Sequence, residues 1–270
     1  MRAVHSGALV GLVVASRLFC AVAGAQDGRP SLKVIRILTP AIAAKYNLGL
    51  LCPSLAVTPN GVAVVGDGDH LWAVGADGAI EVEGVHNAAS FAISGDGLLV
   101  VVSGANLEYL DPSAKILKLV YTLPSGGMRI VAEGKDRFLL FGPDGVKGYA
   151  LYELLPGRRA VKVIDSPHPI TGVARSGDQL LVITGGALFS IDGSSMQVVA
   201  GEPGGALSSI AVDEDSGRVF LSDGSRTFEF KAAKLLPLFS DLGGELRWVG
   251  GGLLVFNPKQ RVLAQIANLP

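Results

Sequence analysis

Side chains able to do chemistry are few in this 270-residue chain. Asp67, Asp69 and His70 stand together in a Gly-Asp-Gly-Asp-His run, and His86 follows a short distance on. Imidazole and carboxylate brought to one point suit zinc or a similar ion. The same Gly-Asp-Gly-Asp run is also what a tight turn requires, because Asp and Gly serve its backbone. His168 lies between Pro167 and Pro169. It has the side chain of a general base, and equally the setting of a solvated loop residue. Asn87, Asn106, Lys147, Asp223, Arg226, Asn257 and Lys259 complete the set of polar candidates. The chain has no G-x-S-x-G elbow, no phosphate-binding P-loop and no H-E-x-x-H pair. Asp213 and Asp215 share one short turn, which argues against a paired acid–base role.

These residues must be positioned by short strands. Glycine makes up 36 of the 270 residues, about twice the usual share of roughly 7%. Charge is sparse and Val, Leu and Ile are abundant, the balance expected of many buried strands joined by tight turns rather than of long amphipathic helices. One phrase recurs, with copies starting near residues 54, 90, 128, 170, 207 and 245. An apolar strand leads to a Gly or Asp turn, then to a very apolar strand, a loop, a third strand, a second turn and a more polar fourth strand. A period near 40 residues with four strands per unit predicts an all-β, six-bladed β-propeller. The last copy stops one strand short. Ser31–Leu38 alternates Lys and Arg with apolar residues, as a half-exposed outer strand does. The last blade is therefore expected to be closed by this N-terminal strand, and a short helix is expected over residues 41–50.

On that fold, one face collects two sets of loops: those joining the second and third strands of a blade, and those leading from a fourth strand to the next blade. Rigid sheets aim these loops at a common axis, so binding residues are expected there. Asp67, Asp69, His70, His86, Asn87, Asn106, Lys147, His168, Asp223, Arg226, Asn257 and Lys259 all map to this face. Asp213 and Asp215 map to the opposite one.

Residues 1–25 read as a secretory signal peptide: Arg2, an apolar stretch over Ala8–Ala15, and Ala23-Gly24-Ala25 as a small-x-small cleavage pattern. Arg17 interrupts the apolar run, and a retained anchor is the alternative. The reading implies a periplasmic or secreted protein, with residues 26–270 as one propeller domain. Of 23 basic and 24 acidic residues, the leader takes two basic ones, so the mature chain is mildly acidic. It carries no basic block of the kind nucleic acid requires, and no later segment is long and apolar enough to span a membrane. Cys52 is the sole cysteine after the leader. It cannot form an internal disulfide and is expected to be buried and inert.

Ser209-Ile-Ala-Val-Asp-Glu-Asp-Ser-Gly-Arg-Val-Phe-Leu-Ser-Asp223 resembles a blade of the NHL and SMP-30 (gluconolactonase-like) six-bladed propellers. Ser54–Gly66 and Phe91–Gly104 are weaker copies. The resemblance spans residues 54–270 and implies architecture more than activity, since the fold hosts unrelated functions. It also implies a divalent cation at the channel mouth, held by a Glu, Asn residues and an Asp. Asp223 stands where the Asp would be. Leu51-Cys-Pro-Ser54 stands in place of the Glu, and Ser208-Ser209 in place of an Asn. Such a site needs several oxygen ligands converging. The expectation is therefore a non-enzymatic scaffold without a cofactor, binding a protein, peptide or glycan through its loop face. A metal-dependent lactonase of the SMP-30 type is the alternative.

Overall fold

The computed structural model describes residues 33–45, 54–75, 78–133, 137–145, 148–155, 160–201, 205–267 and 269. The leader, Cys52 and Lys147 lie outside the described residues, as does the second half of the expected helix. The observed helix α1 is Pro40–Lys45.

Twenty-four strands among the described residues form six four-stranded antiparallel sheets. Blade one comprises β2 (Leu55–Val57), β3 (Ala63–Gly66), β4 (Leu71–Gly75) and β5 (Gly78–Glu81). Blade two comprises β6 (Ser90–Ile93), β7 (Leu99–Ser103), β8 (Asn106–Asp111) and β9 (Ile116–Thr122). Blade three runs β10 (Arg129–Glu133), β11 (Arg137–Pro143), β12 (Tyr149–Leu154) and β13 (Val161–Ser166). Blade four runs β14 (Ile170–Ser176), β15 (Gln179–Thr184), β16 (Ala187–Asp192) and β17 (Ser195–Ala200). Blade five runs β18 (Ser209–Val212), β19 (Val219–Ser222), β20 (Thr227–Lys231) and β21 (Lys234–Phe239). Blade six joins β22 (Glu245–Val249), β23 (Gly252–Asn257) and β24 (Val262–Ala267) to the N-terminal strand β1 (Lys33–Leu38).

The expected closure is present. Strand β1 pairs antiparallel with β24, from Lys33 opposite Ala267 to Leu38 opposite Leu263, with a register shift between Arg36 and Leu38. Leu38 is fully buried and Ile37 nearly so, while Val34, Ile35 and Arg36 are exposed. The strand thus anchors through its last residues.

Alternation along the second strand of each blade explains why both of its faces are apolar. In β11, Phe138 and Leu140 pack toward blade two, while Leu139 and Phe141 pack toward blade four. In β23, Leu254 and Phe256 face blade one, while Leu253 and Val255 face blade five. Each of six apolar clusters lies between two neighbouring blades. No sheet has a core of its own, and each blade is half of two cores. Turns between first and second strands follow from local chemistry. Gly61 and Gly97 take φ values of 86° and 88°. Their N–H groups donate to Thr58 and Ser94 carbonyls at 2.8 and 2.9 Å, the left-handed geometry that glycine adopts without a Cβ clash. Among the described residues no helix is long and apolar enough to cross a membrane.

Candidate functional site

The antiparallel order of each blade puts its second-to-third turn and its connection to the next blade on one face. In blade one, Asp67 opens the turn after β3. Its Oδ1 accepts from the N–H groups of Asp69 (3.0 Å) and His70 (2.6 Å), and its Oδ2 accepts from Trp72 Nε1 at 3.0 Å. Burial works to raise the Asp67 pKa. The donors from His70, Trp72 and Asp69 outweigh it and hold the carboxyl below its ordinary value. Asp67 is therefore a turn staple. His70 lies 3.8 Å from Asp67 Oδ2 and 3.9 Å from Glu81 Oε1. Its ring meets His86 edge-on at 5.6 Å. The structure thus brings Asp67, His70 and His86 together, with Glu81 added. Among the described residues no group of three His, Cys, Asp or Glu has metal-binding geometry.

Asp223 repeats the pattern in blade five. Its Oδ1 accepts from Ser225 N (3.0 Å), Ser225 Oγ (3.0 Å) and Arg226 N (2.7 Å); Oδ2 takes the Arg226 guanidinium at 2.7 Å. Burial again pushes its pKa up, and these donors carry it below its ordinary value. A divalent cation at Asp223 would have to displace that guanidinium.

Asn257 and Asn106 lie in strands, which corrects their placement in loops. Asn257 ends β23 and is buried. Its Nδ2 donates to Gly243 O at 2.7 Å and Gly224 O at 3.2 Å, and its Oδ1 accepts from Gln260 N. Its amide is spent joining blade six to blade five. Asn106 opens β8, exposed, opposite Ser103 and Thr122. Asn87 is exposed and left-handed, with φ 57°. His168 is exposed; its carbonyl accepts from Ser166 Oγ (2.8 Å) and Thr184 Oγ1 (3.0 Å), so the backbone beneath the ring is fixed. Among the described residues no hydrogen bond or ring contact links His168 or Asn106 to the Asp67–His70–His86 group.

The central channel holds chemistry that a survey of loops passes over. The first strands line it, and their upper ends present Ser54, Ser90, Arg129, Thr171, Ser209 and Glu245, one polar residue per blade. The serines weld blades. Ser54 and Ser90 hydroxyls lie 3.1 Å apart, Ser90 accepts from Ile130 N at 3.1 Å, and Ser209 accepts from Leu246 N at 2.9 Å. Arg129 spans the channel, donating to Thr171 O at 2.7 Å and Glu245 Oε2 at 3.0 Å. Arg247 takes Glu245 Oε1 at 2.9 Å and its own neighbour's carbonyl, Leu246 O, at 2.7 Å. Two guanidiniums therefore share one carboxylate. Burial draws the Arg247 pKa down, Glu245 opposes it, and Arg129 adds to the depression. Toward the lower mouth, Arg175 and Arg137 pair with Glu133 and Glu153, at 3.0 Å for Arg175–Glu133 and 3.1 Å for Arg137–Glu153, and Glu214 lines the same cavity as Arg175 and Glu133. One signal for Arg247 was in the sequence. At its place in the first strand, the other copies have Ala56, Ala92, Val131, Val173 and Ala211.

Solved structures share this architecture. A gluconolactonase from Xanthomonas campestris superposes with a TM-score of 0.64 at 17% identity, covering 92% of this chain and 99% of that one. The calcium-binding protein regucalcin from Agrobacterium tumefaciens gives 0.62 at 15%, covering 80% and 90%. The WD40 repeats of RRP9 give 0.54 at 14%, covering 87% and 97%. The chain thus has the six-bladed propeller fold of the gluconolactonase and regucalcin type. No family model matches it. No curated protein matches it either.

Proposed function

We propose that this protein is an exported, non-catalytic propeller that binds a protein, peptide or glycan through its loop face. The observation that carries the reading is the state of Asp67 and Asp223. Both carboxylates are consumed by hydrogen bonds inside their own turns. What remains is a rigid rim of mixed character, with the His70–His86 ring pair, His168 and Arg226 exposed or half-exposed. Preorganised loops of this kind bind without paying much ordering entropy. The donors at the channel mouth do not fit the cation that the fold's resemblance implies: Asp223 is neutralised by Arg226, and serines stand at two of the remaining positions. The solved neighbours support the fold, and their low identity leaves their activities with them.

Crosslinking of the mature protein in a periplasmic extract is expected to capture a partner. Replacing His70, His86 and Arg226 together by Ala should abolish capture while leaving the melting temperature within a few degrees. Turnover of a lactone that depends on added calcium, zinc or manganese, with no captured partner, would overturn this reading in favour of a hydrolase. Fractionation, with N-terminal sequencing expected to begin at Gln26, tests export.

A further inference from the structure

We propose a second binding site, in the central channel, for a small apolar monocarboxylate held by Arg247. It is distinct from the loop face and does not depend on it. Arg247 lines two cavities that open along the axis on either side of it. The one between blades one, two, three and six has a volume of about 140 Å³. Val57, Ile93, Val131, Trp248 and Val249 form its walls, and among the described residues Arg247 is the only charged one lining it. A cavity near 150 Å³ with aliphatic and aromatic walls accepts a ring of benzene's size. Trp248 is held in place by stacking on Phe220, at 5.2 Å and 5° between ring planes, so this wall is preformed.

The charge in the channel points to the ligand's sign. Arg129 and Arg247 share the one carboxylate of Glu245, so neither guanidinium has a carboxylate to itself at this level of the channel, and Glu133 and Glu214 line only the other cavity. Among the described residues Arg247 donates through Nη1 alone, toward Glu245 and Leu246 O. Among the described residues no partner is found for its Nε and Nη2, and 22% of its side chain is open to the channel. A guanidinium edge offering two parallel N–H groups matches a carboxylate. A cation would meet two guanidiniums. An acid group on a compact apolar body matches the free N–H edge, the two guanidiniums that share one carboxylate, and the walls together.

Benzoate is the probe, with benzamide as its neutral counterpart of the same shape. Titration calorimetry on the mature protein should give saturable benzoate binding and a raised melting temperature. Benzamide should bind at least about tenfold more weakly, since it lacks the charge-assisted pair. Arg247→Met should lose benzoate binding by a similar factor. Val57→Phe, which keeps the guanidinium and fills the cavity from the adjoining blade one, should also block it, so the conclusion does not hang on one variant. The triple loop-face variant should bind benzoate as the parent does. Equal binding of benzoate and benzamide, retention of binding in Arg247→Met and Val57→Phe, or no saturable binding up to roughly 10 mM would each overturn the proposal.

Discussion

Asp67 shows how one side chain can look like chemistry and do architecture. Its carboxylate closes the β3–β4 turn through two N–H groups and reaches Trp72 on the next strand. A neutral amide in its place keeps one acceptor and turns a donor toward the indole N–H. Asp67→Asn should therefore destabilise the fold at neutral pH by about 1–3 kcal/mol, the usual cost of leaving such a partner unmet. The pH dependence has a definite sign. The folded carboxyl titrates below its ordinary value of 3.8, so its contribution is fully present above that value and is lost as pH falls through the folded pKa. The gap between parent and variant in thermal melts should close progressively as pH falls below 4. A gap that widens in acid would show that the carboxylate is strained rather than stabilised. The residue types at this turn were legible in the sequence as both a turn and a metal set. Only the distances separate the two, because the same letters serve either purpose.

At the scale of the element, the turns carry most of the information. Gly244 leads into β22 with φ 154°. A Cβ there would sit 2.1 Å from Phe256 O, on the neighbouring strand β23. Neither backbone can yield without shifting the start of β22, where Glu245 meets both arginines. Gly244→Ala should cost about 2 kcal/mol or more and weaken benzoate binding through the displaced Glu245–Arg247 pair. Denaturant melts and the calorimetric titration would check the two effects together. The repeat was legible because glycine and aspartate punctuate it at a regular period. Element ends were less so: Asn106 and Asn257 look like loop residues by type, yet each belongs to a strand, Asn257 because its amide finds two carbonyls of the adjoining blade. Strands run from three residues in β2 to seven in β9, β11 and β14, a wider range than alternation alone suggests.

For the whole molecule, two features arise from assembly and were legible to different degrees. The ring closure was visible as a missing last strand and a spare first one. The channel charge was not, because Arg129 of blade three and Glu245 of blade six meet only after the ring forms; a column-by-column comparison of the six copies would have isolated Arg129, Glu245 and Arg247 but not the contact across the ring. Closure has a direct test. Strand β1 contributes the buried Ile37 and Leu38 to the core between blades six and one, and α1 adds Ala43. Burial of the two large side chains is worth about 1.5–3 kcal/mol each, a large share of a typical net stability of 5–15 kcal/mol. Deleting residues 26–45 should leave β24 as an open, aggregation-prone edge. The antiparallel register puts Lys33 opposite Ala267, so a short Gly-Ser turn can join Ala267 directly to Lys33 as a hairpin. A permuted chain that begins at Ser54, runs to Ala267 and continues through that turn into residues 33–45 should fold to the same propeller, with a melting temperature near that of the parent and intact benzoate binding. If the permuted chain were as insoluble as the deletion, the N-terminal segment would be needed for more than supplying a fourth strand, and the covalent path from α1 into blade one would be what positions β2 at the channel.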